Sequence, residues 1–530
     1  MKSFKLPNYF WYFLALALCL PAFLINLDLL TLNEDESIRA LVALEMKLSQ
    51  DYFTPTLNGT LYYAKPPLYN WILNISYFIT GEVNEWALRL PTLFFLVIYG
   101  MTIYYYSNKY YDRQFAFINA MLFVTCGRIL FWDSMLGYID MCYSWVTYLE
   151  LMVIFHCYHK GEYLRMFLLS SFLAALGFML KGFPTILFQG LSLVVFFSYK
   201  HDLKRLVTKE HLFGILLFSA IVGSYYLYYY SANPDNNAIT GLLDQSTRRT
   251  LMHDTHTLGD FFRHLLVYPF QNTYDFFPWS IMVIYLFRRD LLHILFKNEF
   301  IKYCAIIFAV NILVYWASIE VYPRYILMLI PILFSVFLYF HKIHYEDESI
   351  LYKVFIYFSM STILLGALLS MSFPFLEQLN DVSMPMVKGF SIAAPLIFLS
   401  VYFYRNKPQR LITLICALLL IRIGFNWFIL PDRYDRDRAT DYKQQAIRVG
   451  QQYKDLDFRI WDGTKIDYTS SFYITSTRGS ISRRDYKHED ENAFYVIDTV
   501  KYDIPSNFEI VDKFQIREKD LILNIIQQSQ

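Results

Sequence analysis

Two short polar segments interrupt the otherwise apolar N-terminal half of the chain, at residues 33–39 and 62–67. The first contains Asp35 among three consecutive acids, and the second contains Lys65. Charged side chains beside a membrane must be neutralised, solvated or engaged in binding or catalysis, because an unpaired charge is costly to bury. A carboxylate and an ammonium group in one watery pocket at the bilayer surface suit a substrate with a lipid-linked phosphate.

The first polar segment has the pattern of a helix start. Asn33 followed by Glu36 is typical of a capping box. Asp35 would then lie in the first turn, where the helix dipole favours the carboxylate form, and would share a face with Arg39. An ionised Asp35 can accept a proton from an acceptor hydroxyl. An ordinary surface helix with capping acids fits the same pattern.

The second polar segment presents a lysine on extended backbone. Lys65 precedes Pro66 and Pro67, and a residue before proline is biased away from the helical region. Its compact ammonium group can pair with a phosphate. A lysine that reaches from an apolar surface to the membrane interface is the alternative.

The composition predicts a protein with many membrane spans. Of the 530 residues 56% are hydrophobic and only 18% are charged, whereas soluble domains carry about 25% charged residues. Apolar stretches near the length of a membrane-crossing helix recur along the chain, and we predict about thirteen transmembrane helices. The first stretch is interpreted as an uncleaved helix, because no small-residue cleavage site follows it. The net charge of +1 gives no indication of nucleic-acid binding.

Loop charges predict the orientation. With a cytoplasmic N-terminus, the short loops rich in lysine and arginine all fall on the cytoplasmic side, as the positive-inside rule requires. The long segments 31–87 and 232–275 and the C-terminal part then lie on the outer side. The predicted domains are a transmembrane domain, residues 1–430, and a small α/β soluble domain, residues 431–530. In the latter a helix is predicted over 440–453, with strands over 458–461, 471–475, 494–500, 508–516 and 521–525.

Charged residues gather on the predicted outer rim of the membrane, against the usual charge asymmetry. They are Asp35, Lys65, Arg89, Asp140, Lys181 and Arg324. The outer segment 232–275 adds Arg248 and Arg249, which suit bidentate phosphate binding. Its pair of histidines at positions 253 and 256 is a weak metal signal without a third ligand. The six cysteines form no C-x-x-C pair and indicate neither disulfides nor zinc.

Several motifs resemble the GT-C glycosyltransferases that use polyprenyl-phosphate sugars, in particular aminoarabinose transferases that modify lipid A and protein O-mannosyltransferases. The resemblance covers about the first 340 residues. The matching segments are Asp35-Glu36, Glu45-Met46, residues 51–55 and 57–59, Tyr63 with Lys65-Pro66-Pro67, Asn84-Glu85, Arg89-Leu90-Pro91, Asp140-Met141, Lys181-Gly182 and Pro278-Trp279-Ser280.

The resemblance implies a GT-C fold, with Asp35 as the catalytic carboxylate and Lys65 at the lipid phosphate. Two departures stand out. Ala64 occupies the position where the aminoarabinose transferases carry a metal-binding glutamate, so no metal is assigned. Ile38 replaces their arginine, with Arg39 one position later. His264 corresponds to their loop histidine.

We therefore expect an enzyme of a bacterial inner membrane that transfers a sugar from a polyprenyl phosphate to a lipid, glycan or protein acceptor, with inversion. The expected catalytic residues are Asp35 and Asp140. The expected phosphate-binding residues are Lys65, Lys181, Arg248, Arg249 and Arg324. Further substrate contacts are expected from Glu36, Arg39, Tyr63, Arg89 and His264. The alternatives are a lipid or solute transporter, which predicts inverted repeats, and a membrane scaffold, which leaves the rim charges unexplained.

Overall fold

The computed structural model describes residues 8–234, 238–247, 257–376, 379, 382–488, 490, 492–517 and 520–529. Most of them are helical. The helices are α1 (Asn8–Leu24), α2 (Glu34–Ser49), α3 (Leu68–Thr80), α4 (Glu85–Tyr110), α5 (Arg113–Val124), α6 (Gly127–Phe131), α7 (Asp140–His159), α8 (Tyr163–Lys181), α9 (Pro184–Tyr199), α10 (Lys209–Ala232), α11 (Ala238–Thr247), α12 (Leu258–Asp275), α13 (Leu291–Lys297), α14 (Glu299–Trp316), α15 (Ile330–Glu346), α16 (Ile350–Ser372), α17 (Pro385–Arg405), α18 (Arg410–Arg436), α19 (Ala439–Gln452) and α20 (Tyr468–Arg478).

The strands form two sheets. A small hairpin pairs β1 (Thr56–Leu57) with β2 (Thr60–Leu61). The second sheet has five strands in the order β4-β3-β5-β7-β6, with β3 parallel to both of its neighbours and β7 antiparallel to both of its own. Its strands are β3 (Phe458–Trp461), β4 (Arg483–Asp485), β5 (Phe494–Ile497), β6 (Phe508–Gln515) and β7 (Ile522–Gln528).

The predicted class, a helical polytopic membrane protein with a small C-terminal sheet, is confirmed, but the count of thirteen spans is not. Within the described part of the chain, seven helices are long and apolar enough to cross a membrane, and α5 with α6 forms an eighth if that bent pair is one span. The apolar helices α1 and α9 are shorter. One of the thirteen apolar stretches, residues 276–288, does not form an α-helix, because residues 279–286 adopt a 3-10 conformation.

One predicted strand in the C-terminal region, here residues 439–529, is also wrong. Residues 471–475 lie inside α20, which Asp467 caps by accepting a hydrogen bond from the Ser470 amide. Gly479 ends that helix in the left-handed conformation at φ 69°. Local capping therefore overrides the strand preference of the aromatic and β-branched residues between these ends.

The C-terminal region is fixed to the start of α2. The hydroxyls of Ser37 on α2 and Thr469 on α20 lie 2.7 Å apart. The hydroxyl of Tyr473 and the ammonium group of Lys443 both donate to Glu85 at the start of α4, at 2.6 and 2.5 Å. The helix that carries Asp35 is therefore held between the helical bundle and the C-terminal region.

Candidate active site

A cavity of about 570 Å³ lies where α2, α7, α8 and the C-terminal region meet. Four cations and three carboxylates line its polar part, which are Arg39, Lys65, Lys181, Arg324, Asp35, Asp140 and Glu320. An apolar wall faces them, formed mainly by Phe183, Pro184, Leu187, Phe188 and Val314. This wall is continuous with the surface of α9, where Ile186 is exposed. The cavity can thus hold a charged group and an apolar chain together.

Arg324 joins two carboxylates across the cavity. One of its Nη atoms pairs with Asp35, and its Nε lies 3.5 Å from Oδ2 of Asp140. The guanidinium plane also lies over the ring of Tyr138, at 4.6 Å. Asp140 is buried, whereas the side chain of Asp35 is 54% exposed. The bridge therefore leaves Asp35 open to a ligand while it fixes the distance between the acids.

Lys181 completes the pairing of Asp140. Its Nζ lies 2.5 Å from Oδ1 of Asp140 and 4.6 Å from the ring centroid of Tyr143. Lys181 is the last residue of α8, and Gly182 follows it at φ 80° and ψ −140°, a conformation open essentially to glycine alone. A Cβ at Gly182 would come within 2.9 Å of the Leu242 side chain. The Lys-Gly motif thus ends the helix and delivers the ammonium group to the cavity.

Lys65 lines the same cavity, and its charge acts on Asp140 together with those of Lys181 and Arg324. The predicted proximity of Lys65 and Asp35 in one hollow is therefore present. The four cations of the lining exceed its three carboxylates by one charge, which suits an additional anion in the cavity.

Glu45 anchors the hairpin that precedes Lys65. Its carboxylate accepts hydrogen bonds from the Thr56 hydroxyl at 2.6 Å and from the backbone amides of Asn58 and Gly59 at 2.6 and 3.1 Å. Burial raises the pKa of this carboxyl, an effect that the three donors only partly offset. The Arg484 amide donates to the Asn58 carbonyl at 3.1 Å, so the C-terminal region also braces the hairpin.

The expected substrate contacts of Glu36 and Arg89 require correction. Both side chains are fully buried and pair with each other at 2.8 Å, and neither lines the cavity. Glu36 also accepts hydrogen bonds from the amides of Asn33 at 3.1 Å and Gly137 at 2.7 Å. The Asn33 contact is one half of the predicted capping box. This pair holds the start of α2 rather than a ligand.

Two other expected contacts also lie away from the cavity. Tyr63 is 44% exposed and its ring packs against Gly241 of α11, whereas its neighbour Tyr62 lines the cavity. His264 lies on α12, with its ring 4.9 Å from that of Tyr268, and is absent from the cavity lining among the described residues. The expected phosphate ligands Arg248 and Arg249 lie outside the described residues, as do the histidines at 253 and 256.

Several cavity residues were not predicted from the sequence. Tyr62, Tyr138, Tyr325, Glu320 and Tyr468 all line it. Two of them, Tyr62 and Tyr325, adjoin predicted residues, and Tyr138 lies two residues before Asp140, so these neighbours were a usable signal. Tyr468 comes from the first turn of α20, and only the tertiary fold brings it here.

The described residues do not form a metal site. No group of three histidine, cysteine or acidic side chains among them could hold an ion. Ala64 lines the cavity and offers no ligand atom.

Part of the chain matches known sequences. Residues 64–229 match the family described as dolichyl-phosphate-mannose-protein mannosyltransferase. The chain is 28% identical over 217 residues to the undecaprenyl phosphate-α-4-amino-4-deoxy-L-arabinose arabinosyl transferase of Yersinia enterocolitica, covering 40% of this chain and 37% of that protein. The Shewanella sediminis transferase of the same name is 30% identical over 128 residues, covering 23% and 22%. The chain thus spans well under half the length of these curated relatives.

The fold match extends over the whole chain. The crystal structure of ArnT from Cupriavidus metallidurans bound to undecaprenyl phosphate superimposes with a TM-score of 0.69 and 15% identity, covering 99% of this chain and 100% of that one. The apo state of that protein gives the same TM-score, covering 98% and 99%. At this identity the likeness concerns the fold. By that fold and by the match of residues 64–229, the chain is similar to the ArnT and protein mannosyltransferase superfamily of GT-C membrane proteins.

Proposed function

We propose that this protein is a glycosyltransferase that moves a sugar from a polyprenyl phosphate to a hydroxyl group of a lipid, glycan or protein. One observation carries the proposal: Arg324 bridges Asp35 and Asp140 in a cavity that is lined by both cations and an apolar wall. The wall suits a polyprenyl chain and the cations suit its phosphate. The superfamily favours this activity over transport.

The proposed reaction is a single displacement. The acceptor oxygen attacks the anomeric carbon, and the bond from that carbon to the phosphate oxygen breaks. The phosphate leaves with the electron pair, and the acceptor proton passes to Asp35. The configuration at the anomeric carbon is inverted.

The charged residues around Asp140 would stabilise the leaving group. Lys65, Lys181 and Arg324 supply positive charge that is already oriented, which stabilises developing negative charge without reorganisation. Asp140 holds Lys181 and Arg324 in place through its two oxygens. In this scheme Asp140 positions the cations and Asp35 contacts the acceptor.

The proposed setting is a bacterial inner membrane with a cytoplasmic N-terminus. The cavity and residues 431–530, as a small domain, would then lie on the periplasmic side, as the positive-inside rule predicts. This arrangement would bring a lipid-linked donor from the bilayer and an acceptor from the aqueous side.

The decisive experiment measures release of polyprenyl phosphate from labelled lipid-linked sugars by the purified protein in lipid nanodiscs. The wild-type protein should release it in the presence of acceptor lipids or glycans from the host envelope. Asp35→Asn should lower turnover by at least about a thousandfold, since it removes the proton acceptor. Exposed Asp28, which lies near the start of α2, gives the matched control Asp28→Asn, which should turn over like the wild type.

Absence of release by the wild-type protein with every lipid-linked sugar would reject the transferase proposal. Turnover by Asp35→Asn equal to that of Asp28→Asn would instead reject only the role of Asp35.

A further inference from the structure

Arg39 lines the cavity and is only 9% exposed, yet one of its donors is unused. Its Nη2 donates to the hydroxyl of Tyr62, whose ring centroid lies 5.2 Å from the guanidinium carbon. Its Nη1 is buried and has no hydrogen-bond partner among the described residues. A buried guanidinium with an unsatisfied donor is costly, so the arrangement points to a ligand that supplies an acceptor atom.

The surroundings of Arg39 differ from those of the phosphate-binding cations. Arg39 lies one helical turn after Asp35 on α2, and Leu57, Tyr62 and Tyr468 line the cavity with it. These residues come from the hairpin segment and the C-terminal region, which are not membrane-spanning elements. Lys181, in contrast, adjoins Phe183 and Pro184 of the apolar wall. Arg39 is therefore lined by residues from outside the membrane-spanning helices, whereas Lys181 immediately precedes the apolar wall in the chain.

We propose that Arg39, with Tyr62 and Tyr468, forms an acceptor subsite that binds an anionic group close to the hydroxyl that is glycosylated. This inference rests on the proposed transferase function and adds the class of acceptor, an acidic sugar. The planar guanidinium suits a carboxylate or a phosphate equally. The tyrosine rings offer flat apolar surfaces against which a sugar ring can pack.

A titration of the nanodisc-embedded protein tests the subsite without any transfer step. The probes are octyl glucuronide, octyl glucoside 6-phosphate and neutral octyl glucoside. We expect at least one acidic probe to bind about tenfold more tightly than the neutral one, the effect expected of one charge-assisted hydrogen bond. Preference between the two acidic probes would identify carboxylate or phosphate as the anion.

Arg39→Gln should abolish the preference for acidic probes. Should this variant not fold, Tyr62→Phe removes the hydroxyl that holds Nη2 and should weaken the preference. The matched control is Arg436→Gln, since Arg436 lies at the end of α18 with its side chain 57% exposed, and it should retain the full preference.

Equal binding of acidic and neutral probes by the wild-type protein would overturn the subsite. So would a preference that survives Arg39→Gln but disappears in Lys65→Met, since the anion would then occupy the proposed phosphate site. The titration measures acceptor binding only, and it therefore tests the subsite alone. The transferase function is tested separately, by the release of polyprenyl phosphate.

Discussion

Two neighbouring acids of α2 form ion pairs that differ in burial. Glu36 and Arg89 pair with both side chains fully buried, so each neutralises the charge of the other inside the fold. Asp35 pairs with Arg324 but keeps 54% of its side chain exposed in the cavity. The residue types and the contacts are alike, but only the exposed pair can meet a substrate, as the proposed mechanism requires.

At the residue scale, the two carboxylates should depend on the planar fork of Arg324. Arg324→Lys retains the charge, but an ammonium group cannot bridge Asp35 and Asp140 with the same geometry. We expect turnover to fall about a hundredfold, as when one oriented donor is lost from an active site. Steady-state kinetics of polyprenyl phosphate release measures this effect.

Arg288 provides a matched control, because it also contacts two aspartates, Asp290 at 2.6 Å and Asp347 at 3.5 Å. It does not line the cavity. Arg288→Lys should leave turnover within about twofold of the wild type. If both lysine variants lose turnover to the same degree, bridging by Arg324 has no special role.

At the scale of elements, helix ends deliver the charged groups of the cavity. Asp35 and Asp140 lie in the first turns of α2 and α7, where the helix dipole favours a carboxylate, and Lys181 ends α8, where it favours a cation. These positions were predictable, since capping patterns and the Lys-Gly motif are local. Tyr468 was not predictable, because its place in the cavity depends on the packing of α20 against α2.

Gly182 is a helix end that should be sensitive to substitution. Gly182→Ala would strain the backbone at φ 80° and press a Cβ against Leu242, displacing Lys181 from Asp140. We expect a cost of about 1–3 kcal/mol and a larger loss of turnover than of thermal stability. Thermal unfolding and turnover should be measured on the same preparation.

Gly190 within α9 is the matched control, because a Cβ there would meet no atom within 4 Å. Gly190→Ala should keep full turnover and gain up to about 1 kcal/mol, since alanine favours helix over glycine. A loss of turnover in this variant equal to that of Gly182→Ala would contradict a specific role for the turn.

At the scale of the whole molecule, hydropathy predicted the class but not the count of spans. Helix α7 is a case in point: it is one of the thirteen predicted spans but not one of the seven helices counted as apolar enough to cross a membrane, and Asp140 and Glu150, both buried, interrupt its apolar sequence. A sequence window records such acids as polar, although the surrounding helices enclose them. Likewise, the strand expected over residues 471–475 is a helix because its caps and its packing against α2 outweigh residue preference.

Docking of the C-terminal region should control the positions of the residues that line the cavity, because this region holds the start of α2 and contributes Tyr468. Lys443→Met removes the ammonium group that pairs with Glu85 at 2.5 Å across the interface. We expect weaker docking, faster trypsin cleavage at the exposed Arg436 and Arg438, and a parallel fall in turnover. The loss of one charge-assisted hydrogen bond, about 1.5–3 kcal/mol, corresponds to a cleavage rate at least about tenfold higher when opening and closing are fast relative to cleavage.

The control for this prediction is Lys454→Met, since Lys454 is exposed just after α19. It should show wild-type cleavage and turnover. Faster cleavage of Lys443→Met without loss of turnover would mean that the C-terminal region covers the cavity without positioning Asp35. Unchanged cleavage would mean that the contact with Glu85 does not hold the region in place, and that the hydroxyl pair of Ser37 and Thr469 carries the docking instead.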